Sequence, residues 1–237
     1  CISLKHIPDI SSVCRIGCCP FETCIVLKKE LKLPNLSTVE EPSFEGIQSI
    51  TSVSIPSATK ICEKAFKECV NLTKIILSFS LKSIGSNAFF LCQSLKQIEI
   101  PSSVSEIGDC AFQMCTSLKS VKLPQSLKSI GQNVFFGCKS LTDVEILQSV
   151  TSIGKNAFYN CSSLKSITIP SSVTMIGSAA FYDCSSLINI VIPSSVKSIG
   201  LVAFGECTSL VEIYLPSHID IFKNIGIGSN TSVKFID

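Results

Sequence analysis

The apolar residues of this chain recur at one long, fixed interval. Phe66, Phe89, Phe112, Phe135, Phe158, Phe181 and Phe204 are each 23 residues apart, and the series Cys69 to Cys207 and Leu72 to Leu210 keep the same period. Gly85, Gly108, Gly131, Gly154, Gly177 and Gly200 follow it too. A fixed period of this length marks a solenoid whose turns stack and bury a shared core. Shorter patterns lie inside each turn. Leu164-x-x-Ile167-x-Ile169 has the alternation of a short strand, and Pro170, which cannot donate to a ladder, ends it. Val173 to Ile176 predicts a second extended piece leading to Gly177, which permits a tight turn. Ala180, Phe181 and Cys184 stand at helical spacing and predict one helical or 3₁₀ turn.

The register is unbroken from Phe66 to Pro216, with Ser78 and Leu147 in two of the proline positions. Upstream, Ser11 to Phe21 aligns without a gap on Ser171 to Phe181, which puts Cys24 and Leu27 in the ladder positions. The next turn has Phe44, with Ile47 in the cysteine slot, and is one residue short; the turn from Pro56 to Phe66 is short as well and replaces the glycine by Cys62. Beyond Pro216 the pattern dissolves, and Val233 to Ile236 predicts a capping strand. The reading is a single domain over 1–237, with degenerate turns and a cap in 1–65, regular repeats in 66–216 and a C-terminal cap in 217–237. Atypical terminal turns are expected where a core must be closed.

The consensus Ile-Pro-Ser-Ser-Val-x-x-Ile-Gly-x-x-Ala-Phe-x-x-Cys-x-Ser-Leu-x-x-Ile resembles the leucine-rich repeat of the BspA-like type, over nearly the whole chain. Similar proteins occur in anaerobic bacteria and in surface families of parasitic protists. The resemblance implies a leucine-rich repeat arc or horseshoe, with a parallel β-sheet on the concave face and short extended segments and helical turns elsewhere. It also implies a role in adhesion and protein binding, at a cell surface or after secretion. The shortened turns, the cysteine-rich first turn and the lack of a visible anchor depart from that pattern.

Composition narrows the function further. Hydrophobic residues make up 46% of the chain and charged residues 16%, yet no run is long enough to span a bilayer. A net charge of +2 without a basic block gives no footprint for nucleic acid. The two histidines, His6 and His218, lie near opposite ends, too far apart along a solenoid to complete a catalytic grouping. No phosphate loop or dinucleotide fingerprint is present. The expectation is a protein that is not an enzyme and needs no cofactor. An intracellular scaffold or regulatory subunit, in the cytoplasm, is the alternative reading.

Of the 14 cysteines, the seven of the ladder are expected to be free, buried thiols that behave as small hydrophobes. Cys14, Cys18, Cys19 and Cys24 are the one constellation with metal-like composition, because zinc takes four thiolates. Their spacing is not a repeated C-x₂₋₄-C pair, so packing in the cap stands first, an N-terminal disulfide second and zinc third. Sequons at Asn35, Asn71, Asn160 and Asn230 would be acceptors on a secretory route, though a serine-rich repeat produces them by chance.

Two groups of residues are candidates for holding a partner. Glu99, Lys122, Glu145, Thr168, Val191 and Tyr214 fall on the outward row of successive strands, hence on the concave face. Val191 and Tyr214 form an adjacent apolar pair of the kind that anchors a protein. Phe90, Phe136, Tyr159 and Tyr182 each follow a ladder Phe and would line an aromatic edge, with packing between turns as the plainer explanation. The partner classes are a host-cell or matrix protein, a second copy of the chain, or a glycan.

Overall fold

A computed structural model describes residues 12–16, 29–220 and 224–236. The chain coils into a solenoid whose turns are joined along three sides. On the first side the leucine-bearing strands run parallel. Glu30–Lys32, Ser52–Ile55 and Lys74–Leu77 form one sheet. Gln97–Glu99, Ser120–Lys122 and Asp143–Glu145 form a second, and Asn189–Val191, Glu212–Pro216 and Ser232–Ile236 a third. Residues 164–169 have no regular strand, but they keep the alternation, with Ile167 buried and Thr168 exposed. The expected C-terminal capping strand is therefore present as Ser232–Ile236.

On the second side, two-residue strands pair in parallel from turn to turn. Arg15–Ile16, Thr38–Val39, Lys60–Ile61, Ser83–Ile84 and Glu106–Ile107 form one ribbon. Ser129–Ile130, Ser152–Ile153, Met175–Ile176 and Ser198–Ile199 form the other. The shortened turns keep this register: Thr38 pairs with Lys60 and Lys60 with Ser83, so a missing residue is absorbed elsewhere in the turn.

The third side corrects the expectation of a helical turn. Among the described residues there is no helix, and the segment around each ladder Phe carries two left-handed residues, such as Asn156 and Asn160, both at φ 54°. These positions break a right-handed helix. They also turn the amides outward along the solenoid axis. Asn156 N donates to Ser178 O at 3.0 Å, Phe158 N to Ala180 O at 2.8 Å and Asn160 N to Tyr182 O at 2.7 Å. The intervening amides close i−3 turns, as in Tyr159 N to Asn156 O at 3.1 Å. A left-handed residue with a side chain costs about 1–2 kcal/mol, and here the penalty falls even on β-branched Val202, at φ 47°. It is offset because the conformation satisfies backbone donors that a buried loop would otherwise strand.

Inside this frame Phe44, Phe66, Phe89, Phe112, Phe135, Phe158, Phe181 and Phe204 form a continuous, fully buried stack. Neighbouring ring centroids are 5.0 to 5.7 Å apart. This lies within the favourable range for aromatic pairs, each worth about 0.5–1.5 kcal/mol beyond burial. The ladder glycines have a different role from the one their position suggests. A Cβ on Gly177 would lie 2.6 Å from the carbonyl carbon of Gly154, and one on Gly200 would lie 2.2 Å from Ser178 N. Glycine is needed there for the close approach of two backbones, and Gly177 has no left-handed φ.

The ladder cysteines are free thiols, as expected, and they do more than fill space. Each Sγ donates to the carbonyl of a ladder Phe in the preceding turn: Cys115 to Phe89 O at 3.1 Å, Cys138 to Phe112 O and Cys161 to Phe135 O, both at 3.2 Å. The same Phe carbonyls accept the amide of their own turn's cysteine, for example Cys138 N to Phe135 O. Burial pushes the Cys115 thiol up to about 12. The second serine of the Pro-Ser-Ser turns works in a similar way. Ser172 Oγ donates to Val150 O at 2.6 Å and Ser195 Oγ to Val173 O at 2.8 Å. His218 occupies the equivalent place in the last turn, where its Nε2 donates to Val196 O at 2.8 Å.

Candidate partner-binding face

Once the bonded ladders are set aside, the outward residues of the leucine-bearing strands are the ones left unused. The register aligns Glu99, Lys122 and Glu145 on neighbouring strands. All three are exposed, and none joins an ion pair among the described residues. Thr168 is exposed on the segment that lacks a regular strand. Val191 and Tyr214 are paired in register, as predicted, but their surroundings differ. Val191 is 53% exposed. Tyr214 is half-buried: its hydroxyl donates to Glu212 Oε2 at 2.8 Å, and Lys234 Nζ stands 5.4 Å from its ring centroid. Lys234 also bonds Glu212 directly, and this holds the Glu212 carboxyl below the usual carboxylate range. Tyr214 is thus clamped in one orientation by an acid and a base.

Two residues that the strand alternation did not single out extend this surface. Ile188 and Val211 precede their strands by one position and are 48% and 57% exposed. They are bonded neighbours, with Val211 N donating to Ile188 O at 2.8 Å. Lys96, Lys119, Thr142 and Lys165 hold the same position in earlier turns, so the change from lysine and threonine to aliphatic residues was the available signal. Ile188, Val191, Val211 and Tyr214 together make an apolar cluster on a face whose one other exposed large hydrophobic residue in the outward row, among the described residues, is Ile76, 45% exposed. Isolated exposed aliphatics are ordinary, but adjacent ones rimmed by charge mark an interaction surface.

The aromatic column is arranged differently. Phe136 and Tyr159 stack with centroids 4.6 Å apart, and Tyr159 and Tyr182 at 4.9 Å. Tyr182 then covers Gly205, whose Cβ would sit 2.6 Å from the ring. Phe90 stands apart from this stack, beyond Gln113, and all four aromatics are half-buried. The stacked rings occupy one another's faces and offer mainly edges and hydroxyls to solvent.

Of the N-terminal cysteines, Cys14 is exposed, while Cys18, Cys19 and Cys24 lie outside the described residues. Among the described residues no group of His, Cys, Asp or Glu is placed to hold a metal ion, and no helix is long and apolar enough to cross a membrane. Of the sequons, Asn71 uses its Nδ2 to donate to Gln48 O at 2.8 Å, and Asn230 is exposed.

A parallel-sheet solenoid with a leucine-lined core and an open strand face defines a leucine-rich repeat protein. The BspA type leucine rich repeat region matches in 6 copies over residues 1–119 and 105–234, and the chain belongs to that family. Leucine-rich repeats of this kind are protein-binding modules and typically lack enzymatic activity. The chain is similar to a leucine-rich repeat protein of T. pallidum, with 29% identity and a TM-score of 0.62, covering 77% of this chain and 78% of that one. It is also similar in fold to the pneumococcal vaccine antigen PcpA, with 16% identity and a TM-score of 0.55, covering 90% and 76%. No curated protein matches the sequence.

Proposed function

We propose that the chain is a non-enzymatic recognition module that holds a protein partner on its leucine-strand face and serves in adhesion at a cell surface or after secretion. The partner is a host-cell or matrix protein. The observation that carries this reading is the cluster of exposed Ile188, Val191 and Val211 beside the half-buried, clamped Tyr214. It combines aliphatic area with an aromatic side chain held in place, so little ordering entropy remains to oppose binding. The family resemblance supports the surface location. The test replaces Val191 and Tyr214 together by Glu and measures adhesion of the purified protein to matrix-coated and cell-coated surfaces. Adhesion should be lost while the thermal unfolding profile stays unchanged. Unchanged adhesion would remove this face from consideration.

A further inference from the structure

We infer that the face takes a peptide segment of mixed character, with large apolar side chains at one end and acidic side chains at the other, lying along the solenoid axis. This rests on the proposed face and specifies its ligand. The position that precedes each strand forms two bonded runs, Lys119 N donating to Lys96 O and Thr142 N to Lys119 O, then Ile188 N to Lys165 O and Val211 N to Ile188 O, and the 23-residue period sets Lys165 in the turn after Thr142. Its exposed side chains therefore change along the axis from cationic, at Lys96, Lys119 and Lys165, to aliphatic, at Ile188 and Val211.

Neighbouring members of such a column stand roughly 4.8 Å apart. None of the three lysines is engaged in an ion pair among the described residues, and the column itself contains no acid. The face's carboxylates, Glu30, Glu99, Asp143, Glu145 and Glu212, stand in the rows beyond it, and Glu212 is paired with Lys234. Upstream the same column runs through Thr73 and Thr51 to Lys29, with Thr51 N donating to Lys29 O and Thr73 N to Thr51 O, while Lys74 belongs to the neighbouring row; the lysines nearest the aliphatic residues are Lys165, Lys119 and Lys96. A segment that buries apolar side chains on Ile188 and Val211 carries its next residues over Lys165 and then Lys119. Acidic groups there meet unpaired ammonium groups, and basic groups are repelled. Charge complementarity of this kind sets specificity and association rate more than raw affinity.

The experiment pans a phage-displayed random peptide library on the intact 237-residue chain and measures binding of the selected synthetic peptides by fluorescence anisotropy. The expected winners combine a large apolar residue with acidic residues to one side of it. Their affinity should fall about tenfold in the Lys119→Glu/Lys165→Glu protein and decline with added salt. It should be lost in Ile188→Asp/Val211→Asp, with thermal melts confirming that both variants fold. Winners without acidic residues, or winners indifferent to the lysine reversal but lost in the aliphatic variant, would overturn the mixed-peptide assignment and leave the proposed face standing. Winners indifferent to both variants would overturn both, and a library that yields no binder would overturn the assignment.

Discussion

The Phe-bearing wall and the leucine-strand face both show one residue per turn at nearly the same spacing, yet they obey different rules. On the wall, backbone amides, the Phe ring and the cysteine thiol are each committed to the adjacent turn. On the face, the backbone is bonded within three sheets and interrupted at 164–169, while side chains such as Glu99, Lys122 and Val191 are exposed and, for the charged ones, in no ion pair among the described residues. The wall therefore fixes residue type, while the face leaves it open. The comparison shows where this scaffold stores stability and where it has room for recognition.

Phe135→Ala would strike the wall hardest, because it leaves a ring-sized gap between Phe112 and Phe158. The expected loss is about 3–5 kcal/mol in urea unfolding; a loss below about 1 kcal/mol would mean that the stack does not carry the core. Gly177→Val comes next, since its Cβ would collide with the backbone at Gly154 and Lys155. Backbone yields less readily than side chain, so about 1–3 kcal/mol is expected by the same measurement.

The thiols predict a dependence on alkali. Cys115 is raised by burial from its ordinary 9.0 to about 12. Above about pH 9 the unfolded chain releases this proton while the folded one keeps it, so stability is full below that pH and falls as pH rises toward 12. The slope is about 1.4 kcal/mol per pH unit for one thiol. Urea midpoints at roughly pH 8 and pH 10 should differ less in Cys115→Ala than in the unaltered protein. An equal shift in both would show that this thiol is not held protonated by the fold. The smallest effect belongs to the face: Lys122→Ala should change stability by less than about 0.5 kcal/mol. A larger loss would make the face part of the scaffold and erase the contrast.

Much of this architecture is legible in the sequence because a period repeated in Phe, Cys, Leu and Gly reports burial directly. The backbone path of the wall is not legible. Leu91, Met114, Glu68 and Val202 all adopt left-handed φ, although none of these residue types favours it. Their conformation is set by hydrogen bonds to the next turn, which local preference cannot reveal. The reason for glycine was hidden likewise, because the close approach involves a residue 23 positions away. On the face, strict strand alternation found Val191 and Tyr214 but passed over Ile188 and Val211, which lie just outside the strands. Nor does Tyr214 alone reveal the clamp from Glu212 and Lys234, because Lys234 lies on the capping strand, outside the 23-residue period.

Since each ladder of the wall joins a turn to its immediate neighbours, a copied block of 23 residues would find every partner it needs in the block it was copied from. A gene of this design can lengthen or shorten by unequal crossing-over without a compensating substitution elsewhere. Each such event would also slide a new set of outward side chains into the row. Variation of the displayed surface is then open to recombination of whole turns as well as to point mutation.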